Sequence, residues 1–128
     1  MTENEISYQI RGAIFDVYNN LGPGLLESVY EEALAYELTQ RGLLYKRQLE
    51  VPVMYKGKKL NCPPLRLDII VEDKVIIEIK AIKELTNINK KQLYTYLKLT
   101  DKRLGILVNF DTDSIKDSIK RVVNGLVS

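Results

Sequence analysis

The sequence predicts one α/β domain, a mixed β-sheet flanked by helices in the order α-α-β-β-β-α-β-α, from three observations. Apolar residues recur at helical spacing in several segments, short runs rich in Ile and Val read as strands, and one helical segment joins two of those strands like a crossover. A chain of 128 residues is long enough to bury one core, so we expect a single domain over residues 1–128.

Two helices are predicted to open the chain. Thr2 and Glu5 have the spacing of a capping box, and apolar residues follow at helical intervals. Residues 22–24, Gly-Pro-Gly, should end this first helix. A second helix is predicted from about Leu25 to Arg41 and should end before the glycine that follows it.

A strand is predicted over residues 46–55, where apolar side chains alternate with polar ones. Pro52 lacks an N–H group, so this strand should lie at an edge of the sheet or turn that position away from its neighbour. Residues 56–58, Lys-Gly-Lys, predict a turn into a short strand that ends near Leu60.

The segment 66–81 predicts a β-hairpin, because two runs rich in Ile and Val flank the polar residues 72–74. A three-residue loop would place Asp68 directly opposite Glu78, whereas a two-residue loop would put them on opposite faces of the sheet. With the longer loop, one face carries the apolar residues Leu67, Ile69, Val71, Val75, Ile77, Ile79 and Ala81. The other face carries Asp68, Glu78 and Lys80.

Three further elements are predicted after the hairpin. A helix should run from about Asn87 to Leu99, with Thr86 or Asn87 as its cap. Residues 104–110 are too few for a helix of their own and predict a buried strand. A last helix is predicted over residues 113–126 from the helical spacing of Ile115, Ile119, Val122, Val123 and Leu126.

The charged face of the hairpin suggests a metal site. Two carboxylates held close together in a desolvated place repel each other unless a cation lies between them. Oxygen ligands of this kind suit Mg²⁺ or Mn²⁺, and Lys80 could orient an attacking water or neutralise charge on a phosphate. The alternative is a cross-strand ion cluster without chemistry, because so short a motif recurs by chance.

Spaced motifs add a family resemblance. Asp68 followed by Glu78-x-Lys80 on a hairpin resembles the PD-(D/E)XK nuclease superfamily, although Leu67 and not proline precedes the aspartate. A glutamate on an earlier helix, Glu27, and a later QxxxY motif are similar to the RecB-like and lambda-exonuclease-like branch. The segment 24–30, GLLESVY, also fits the signature of the GxxExxY family within that superfamily.

The resemblance implies a restriction-endonuclease-like fold and metal-dependent hydrolysis of phosphodiester bonds in DNA or RNA. It implies that Asp68, Glu78 and Glu27 hold Mg²⁺ or Mn²⁺ and that Lys80 serves the attacking water. It also implies that Gln92 and Tyr96 contact the phosphate backbone or position the site. Independently of the resemblance, Lys90 and Lys91 on the same predicted helix could meet phosphates.

Each of these residues also has a structural interpretation. Glu27 could serve only the helix dipole, Tyr96 could be an ordinary buried tyrosine with Gln92 bonded nearby, and the lysines could simply be solvated. For the whole chain, the alternative is a non-catalytic nucleic-acid-binding or scaffold subunit that keeps the nuclease fold.

Composition excludes several other mechanisms. The chain has no histidine, which removes Ser-His-Asp catalysis, Cys-His catalysis and histidine-ligated metals. Its single cysteine, Cys62, excludes an intramolecular disulfide and a cysteine-ligated zinc or iron–sulfur site. The apolar runs are short and interrupted by charge, so we expect a soluble cytoplasmic protein without a membrane span.

Charge is unevenly distributed along the chain. Residues 1–45 hold two basic and seven acidic side chains, net −5, while residues 46–103 hold fourteen basic and seven acidic ones, net +7. This asymmetry is compatible with a basic face for nucleic acid, although solvated lysines can also produce it. A chain so close to a bare core should take its specificity from a partner protein, from self-association or from structure in the nucleic acid.

Overall fold

The computed structural model describes residues 1–126 and contains three helices and seven strands. In chain order these are α1 (Glu3–Leu21), α2 (Glu27–Gln40), β1 (Tyr45–Val51), β2 (Met54–Tyr55), β3 (Lys58–Lys59), β4 (Leu65–Val71), β5 (Val75–Lys80), α3 (Asn87–Thr100), β6 (Leu104–Asn109) and β7 (Ile119–Val123). A short 3₁₀ turn, Ile115–Ser118, precedes β7. None of the helices in this part of the chain is long and apolar enough to cross a membrane.

Five strands form one mixed sheet in the order β1-β4-β5-β6-β7. Strands β5 and β6 are parallel and are joined through α3, which confirms the predicted crossover, and the other neighbours are antiparallel. Strands β2 and β3 pair only with each other and form a small separate hairpin. Because Pro52 interrupts the predicted strand 46–55, β1 ends at Val51 and β2 begins at Met54.

A hydrophobic cluster lies on each face of the sheet. The larger cluster packs α1 and α2 against the sheet through residues that include Ile10, Ile14, Leu34, Leu38, Ile69, Ile77 and Ile106. The smaller cluster packs α3 on the opposite face and contains Leu67, Ile70, Ile76, Leu93, Leu97 and Leu107. The sheet is therefore covered on both sides, which explains why β5 and β6 are almost wholly buried.

The turn between α1 and α2 fixes where α2 begins. Gly22 and Gly24 both have left-handed backbones, as the break predicted at residues 22–24 requires. The hydroxyl of Tyr30 donates to the carbonyl of Gly22 and accepts from the N–H of Leu25, and its ring stacks on Phe110 at 4.4 Å. A buried side chain of α2 thus holds the loop that leads into the same helix. At the start of α1, Thr2 and Glu5 form the predicted capping box.

The register of the β4–β5 hairpin confirms the three-residue loop, because Val71 pairs with Val75 and Ile69 with Ile77. The predicted apolar face was wrong at one residue. Leu67 packs in the cluster under α3, not with Ile69 on the face under α1 and α2. The reason lies in β1, where Gln48 has a left-handed backbone and interrupts the pairing with β4.

The predicted helix over residues 113–126 was also wrong. Only a 3₁₀ turn forms there, and Ile119–Val123 continues as β7, antiparallel to β6. Without β7 the inner strand β6 would leave a row of unpaired N–H and C=O groups at the edge of the sheet. Pairing with β6 therefore outweighs the weak helical spacing, and the β-branched Ile119, Val122 and Val123 suit a strand.

Candidate active site

The candidate site lies where the pairing of β4 with β5 stops. Regular pairs end at Ile69 and Ile77, one step before Asp68. Asp68 therefore does not form the regular ladder pair with Glu78 that counting from the loop predicts. Its carboxylate Oδ2 instead accepts the backbone N–H of Ile79 at 2.8 Å. At this point the Asp68 side chain, and not the backbone of β4, accepts the hydrogen bond from the backbone of β5.

Glu78 is the buried acid of the site. Its exposed fraction is 6%, and its Oε1 has no hydrogen-bond partner within the described residues. The pKa of Glu78 is raised from 4.5 to about 9, first by burial and then by the hydrogen bond and the charge of Asp68, while Lys80 acts in the opposite direction and lowers it. Because Asp68 and Lys80 both act on Glu78, the structure brings all three predicted residues of the hairpin into one cluster.

Glu27 approaches this cluster from the first residue of α2. Its side chain is exposed, and its Oε1 accepts the backbone N–H of Ala81 at 3.2 Å, directly after the end of β5. Glu27 and Asp68 line the same cavity of about 530 Å³, together with Ser28, Glu31, Gln48 and Ile79. The side chain of Glu27 therefore reaches the end of the strand that carries Glu78.

Two residues at this cavity were not among the predicted ones. Glu31 is 9% exposed and forms an ion pair with Arg47 at 2.9 Å. Its other oxygen accepts from Nε2 of Gln48 at 2.6 Å, and Gln48 stands beside Asp68 with a backbone φ of 50°. The position of Glu31, four residues after Glu27 on the same helix, could have revealed it. Nothing in the sequence marks Gln48.

The residues predicted on α3 divide into two groups. Tyr96 is half-buried, and its pKa is raised first by burial and then by the charges of Glu78 and Asp68, which places it beside the acidic pair. Gln92, Lys90 and Lys91 are exposed. These three side chains form no hydrogen bond or ion pair with the rest of residues 1–126, so the structure does not bring them into the cluster.

The donor set can be compared with what a hard divalent cation requires. Within residues 1–126, no three Asp, Glu or Cys side chains are gathered closely enough to hold a metal ion by themselves. The Asp68–Glu78 pair nevertheless offers a buried oxygen without a partner, and such an atom costs free energy unless something binds it. Two carboxylates with water completing the shell suit Mg²⁺, which keeps several of its waters in proteins.

Comparison with known proteins decides the family. A sequence model of the PD-(D/E)XK nuclease superfamily matches residues 4–122, which is nearly the whole chain. The chain belongs to the PD-(D/E)XK nuclease superfamily. Its mixed sheet with helices on both faces is the restriction-endonuclease-like α/β fold, as predicted. No curated protein matches the chain.

One solved structure is also similar to this chain. The structure described as "Crystal structure of SSO0001" matches with a TM-score of 0.59 and 26% sequence identity. The match covers 78% of this chain and 50% of the other one, so the chain spans half the length of that protein.

Proposed function

We propose that this chain is a metal-dependent nuclease that hydrolyses phosphodiester bonds in DNA, with RNA as the alternative substrate. The observation that carries the proposal is the unpartnered Oε1 of buried Glu78 beside the Asp68 carboxylate. When both groups are ionised, such a pair is destabilising unless a cation lies between them. Membership in a nuclease superfamily supports a catalytic use for this arrangement.

In this proposal Asp68 and Glu78 hold Mg²⁺ or Mn²⁺ directly, and the exposed Glu27 contributes through a water. The bound ion would supply a Lewis acid for the phosphoryl oxygen and a water of lowered pKa as the nucleophile. Asp68 keeps its orientation because the N–H of Ile79 holds its Oδ2. Burial of Glu78 keeps bulk water away from one side of the site.

Lys80 acts on the charge that develops during attack. It lies two residues after Glu78 at the end of β5 and is half-buried, so its ammonium group is partly shielded from solvent. A cation in such a place stabilises the additional negative charge of a phosphoryl transition state more than it stabilises the ground state. The neighbouring Tyr96 would position the scissile phosphate, and the exposed Gln92, Lys90 and Lys91 would contact the backbone on either side.

The experiment that tests this function is cleavage of a mixed panel of substrates. Single-stranded, duplex, flapped and branched DNA and RNA are incubated with pure protein in Mg²⁺ or Mn²⁺. We expect cleavage by the wild type and none by Lys80→Ala, because the variant loses several kcal/mol of transition-state stabilisation. Each ~1.4 kcal/mol that is lost lowers the rate tenfold. Binding measured in Ca²⁺ should survive in the variant.

Lys74→Ala is the matched control. Lys74 lies on the same hairpin but in the loop at the other end of β5, so its loss should leave cleavage unchanged. Salt-sensitive binding without cleavage of any substrate would favour a non-catalytic binding or scaffold subunit. Cleavage that persists in Lys80→Ala would come from a contaminant or from another site, and would overturn the assignment.

A further inference from the structure

The small β2–β3 hairpin leaves the sheet at the end where the candidate site lies. It connects the end of β1 to the start of β4, and Lys80 at the end of β5 lies at this same end of the sheet. Asp68 is three residues into β4, roughly 10 Å along the strand from Leu65. A polymer that runs from the site along β4 towards Leu65 would therefore come within reach of this hairpin.

The side chains of the β2–β3 hairpin do not pack in either hydrophobic cluster. Every residue from Met54 to Pro64 is exposed, including Tyr55, whose exposed fraction is 59%. The segment 52–64 contains Lys56, Lys58 and Lys59 and no acidic residue. A tyrosine and three ammonium groups thus project into solvent without a structural task in the described chain.

The aromatic ring of the hairpin has lysines as its neighbours. Tyr55 pairs directly with Lys58, so their side chains lie on one face of the hairpin, with Cβ atoms about 4.5–5.5 Å apart. Nζ of Lys56 lies 5.5 Å from the centroid of the Tyr55 ring. The ring therefore has an ammonium group from the turn beside it, and a second lysine side chain lies across the hairpin on the same face.

The turn itself is not built for stability. Lys56 and Gly57 both have left-handed backbones, with φ values of 51° and 76°. A two-residue turn of this kind favours Asn-Gly, because asparagine tolerates the left-handed region better than other side chains. A lysine in the first position gives up that local stability and places a cation at the tip.

We propose that this lysine hairpin, residues 52–60, binds a single-stranded segment of nucleic acid. A base stacks on Tyr55, and the phosphates on either side of that base contact Lys56 and Lys58. Stacking on an aromatic side chain requires an unpaired base, and the lysines attract the backbone without reading its sequence. The inference deepens the proposed nuclease, on which it rests only for the course of the strand past Asp68.

The test measures binding separately from cleavage. Fluorescence anisotropy of a labelled single-stranded oligonucleotide and of a duplex is recorded in Ca²⁺ on the Lys80→Ala background over a range of salt concentrations. Lys56→Asn with Lys58→Gln should weaken single-strand binding roughly tenfold and reduce the slope of log K against log salt by about 1.4, or 0.7 for each phosphate contact. Tyr55→Leu should weaken it roughly fivefold or more, with the slope unchanged.

Folding is controlled within the same set. Lys56→Asn alone should melt at or above the temperature of the wild type, because Asn-Gly suits the turn, and should still lose affinity. Lys74→Gln, in the loop at the far end of the sheet, should bind as tightly as the parent. Lost affinity in Lys56→Asn therefore cannot be attributed to a damaged fold.

Unchanged single-strand affinity in the hairpin variants would overturn the proposal and would leave these residues for a protein partner. A loss from the lysine changes that is equal for duplex and single strand, with no effect of Tyr55→Leu, would overturn the stacked base. The nuclease proposal fails independently. If the wild type cleaves nothing but the hairpin variants lose binding, the nuclease proposal fails and the hairpin proposal is supported. If the wild type cleaves but the hairpin variants bind as tightly as the parent, the hairpin proposal fails and the nuclease proposal is supported.

Discussion

Glu78 is a buried carboxylic acid, and its ionisation is linked to folding. Its folded pKa of about 9 exceeds its ordinary value of 4.5, so between these values the folded chain holds a proton that the unfolded chain has released. Stability linked to this group is therefore complete at low pH and is lost as the pH rises from about 4.5 towards 9. A divalent ion bound as proposed would reverse this dependence by displacing the proton.

The first prediction is that the metal-free protein loses stability between pH 5 and pH 8.5 because of Glu78. The difference in free energy of unfolding should be at least about 1.4 kcal/mol, the equivalent of one pKa unit. Glu78→Gln keeps the shape of the side chain but cannot ionise, so its stability should change less over this range. Urea unfolding of both proteins in chelator at the two pH values measures the effect. Parallel curves for the two proteins would contradict it.

Gln48 gives a second prediction at the scale of one residue. Its left-handed backbone costs a side-chain-bearing residue about 1–2 kcal/mol, and the bond to Glu31 helps to hold it. Gln48→Gly and Gln48→Ala both lose that bond, but only glycine removes the backbone strain. We expect the glycine variant to be more stable than the alanine variant by about 1 kcal/mol in chemical denaturation.

An ordinary strand position shows the opposite order, since glycine there is less stable than alanine by about 0.5–1 kcal/mol. The same pair of substitutions at Lys46, two residues earlier in β1 and in regular pairing with Ile70, provides the control. If alanine is the better residue at both positions, the left-handed conformation of Gln48 is not maintained in solution.

At the scale of elements, the contact between α3 and β6 depends on Gly105. A Cβ atom at this position would lie 2.8 Å from Cγ and Cδ2 of Leu93, which is itself 1% exposed. The missing methyl group lets α3 rest directly on the strand. Because Tyr96 is one turn further along α3, this close approach also sets the height of Tyr96 above the sheet.

The third prediction is that Gly105→Ala destabilises the protein by about 1–3 kcal/mol through overpacking. Leu93→Ala alone should cost about 2–5 kcal/mol as a cavity. In the double variant the added methyl occupies part of the vacated space, so the total should be smaller than the sum. Denaturant unfolding of the four proteins measures this coupling, and strict additivity would contradict the contact.

The elements that the sequence predicted best are those fixed by local chemistry. The capping box at Thr2, the break at residues 22–24 and the three-residue loop of the β4–β5 hairpin follow from short-range rules. The β7 strand was missed because the spacing of Ile119, Val122 and Val123 fits a helix as well as a strand. What decides between them is the open edge of β6, a distant partner that local spacing does not reveal.

The candidate site shows the same division. Asp68, Glu78 and Lys80 could be assembled from alternation on one hairpin, and Glu27 from its motif. The left-handed backbone at Gln48 accompanies a hydrogen bond from its side chain in β1 to Glu31 in α2, and no sequence pattern predicts this contact. Leu67 was assigned to the wrong face for this reason, since regular alternation was assumed where the strand is distorted.

The response of the whole molecule to metal gives the fourth prediction. Binding that is confined to the folded state raises stability by about 2.7 kcal/mol at an ion concentration a hundredfold above Kd. Mg²⁺ or Mn²⁺ should therefore raise the melting temperature of the wild type. Asp68→Asn removes one charge from the pair and should weaken that response. Thermal melts with and without metal compare the two proteins, and an equal response would place the ion elsewhere.

The helices on the two faces of the sheet come from parts of the chain that differ in net charge. Residues 1–45, with net charge −5, form α1 and α2 on one face, and residues 46–103, with net charge +7, include the lysine hairpin and α3. The molecule is therefore an electric dipole, and the field of an approaching polyanion exerts a torque that turns the α1–α2 side away. With the proposed nucleic-acid substrate this rotation would begin within about a Debye length of contact, near 8–10 Å at physiological salt, so the encounter would be oriented before the first phosphate is bound.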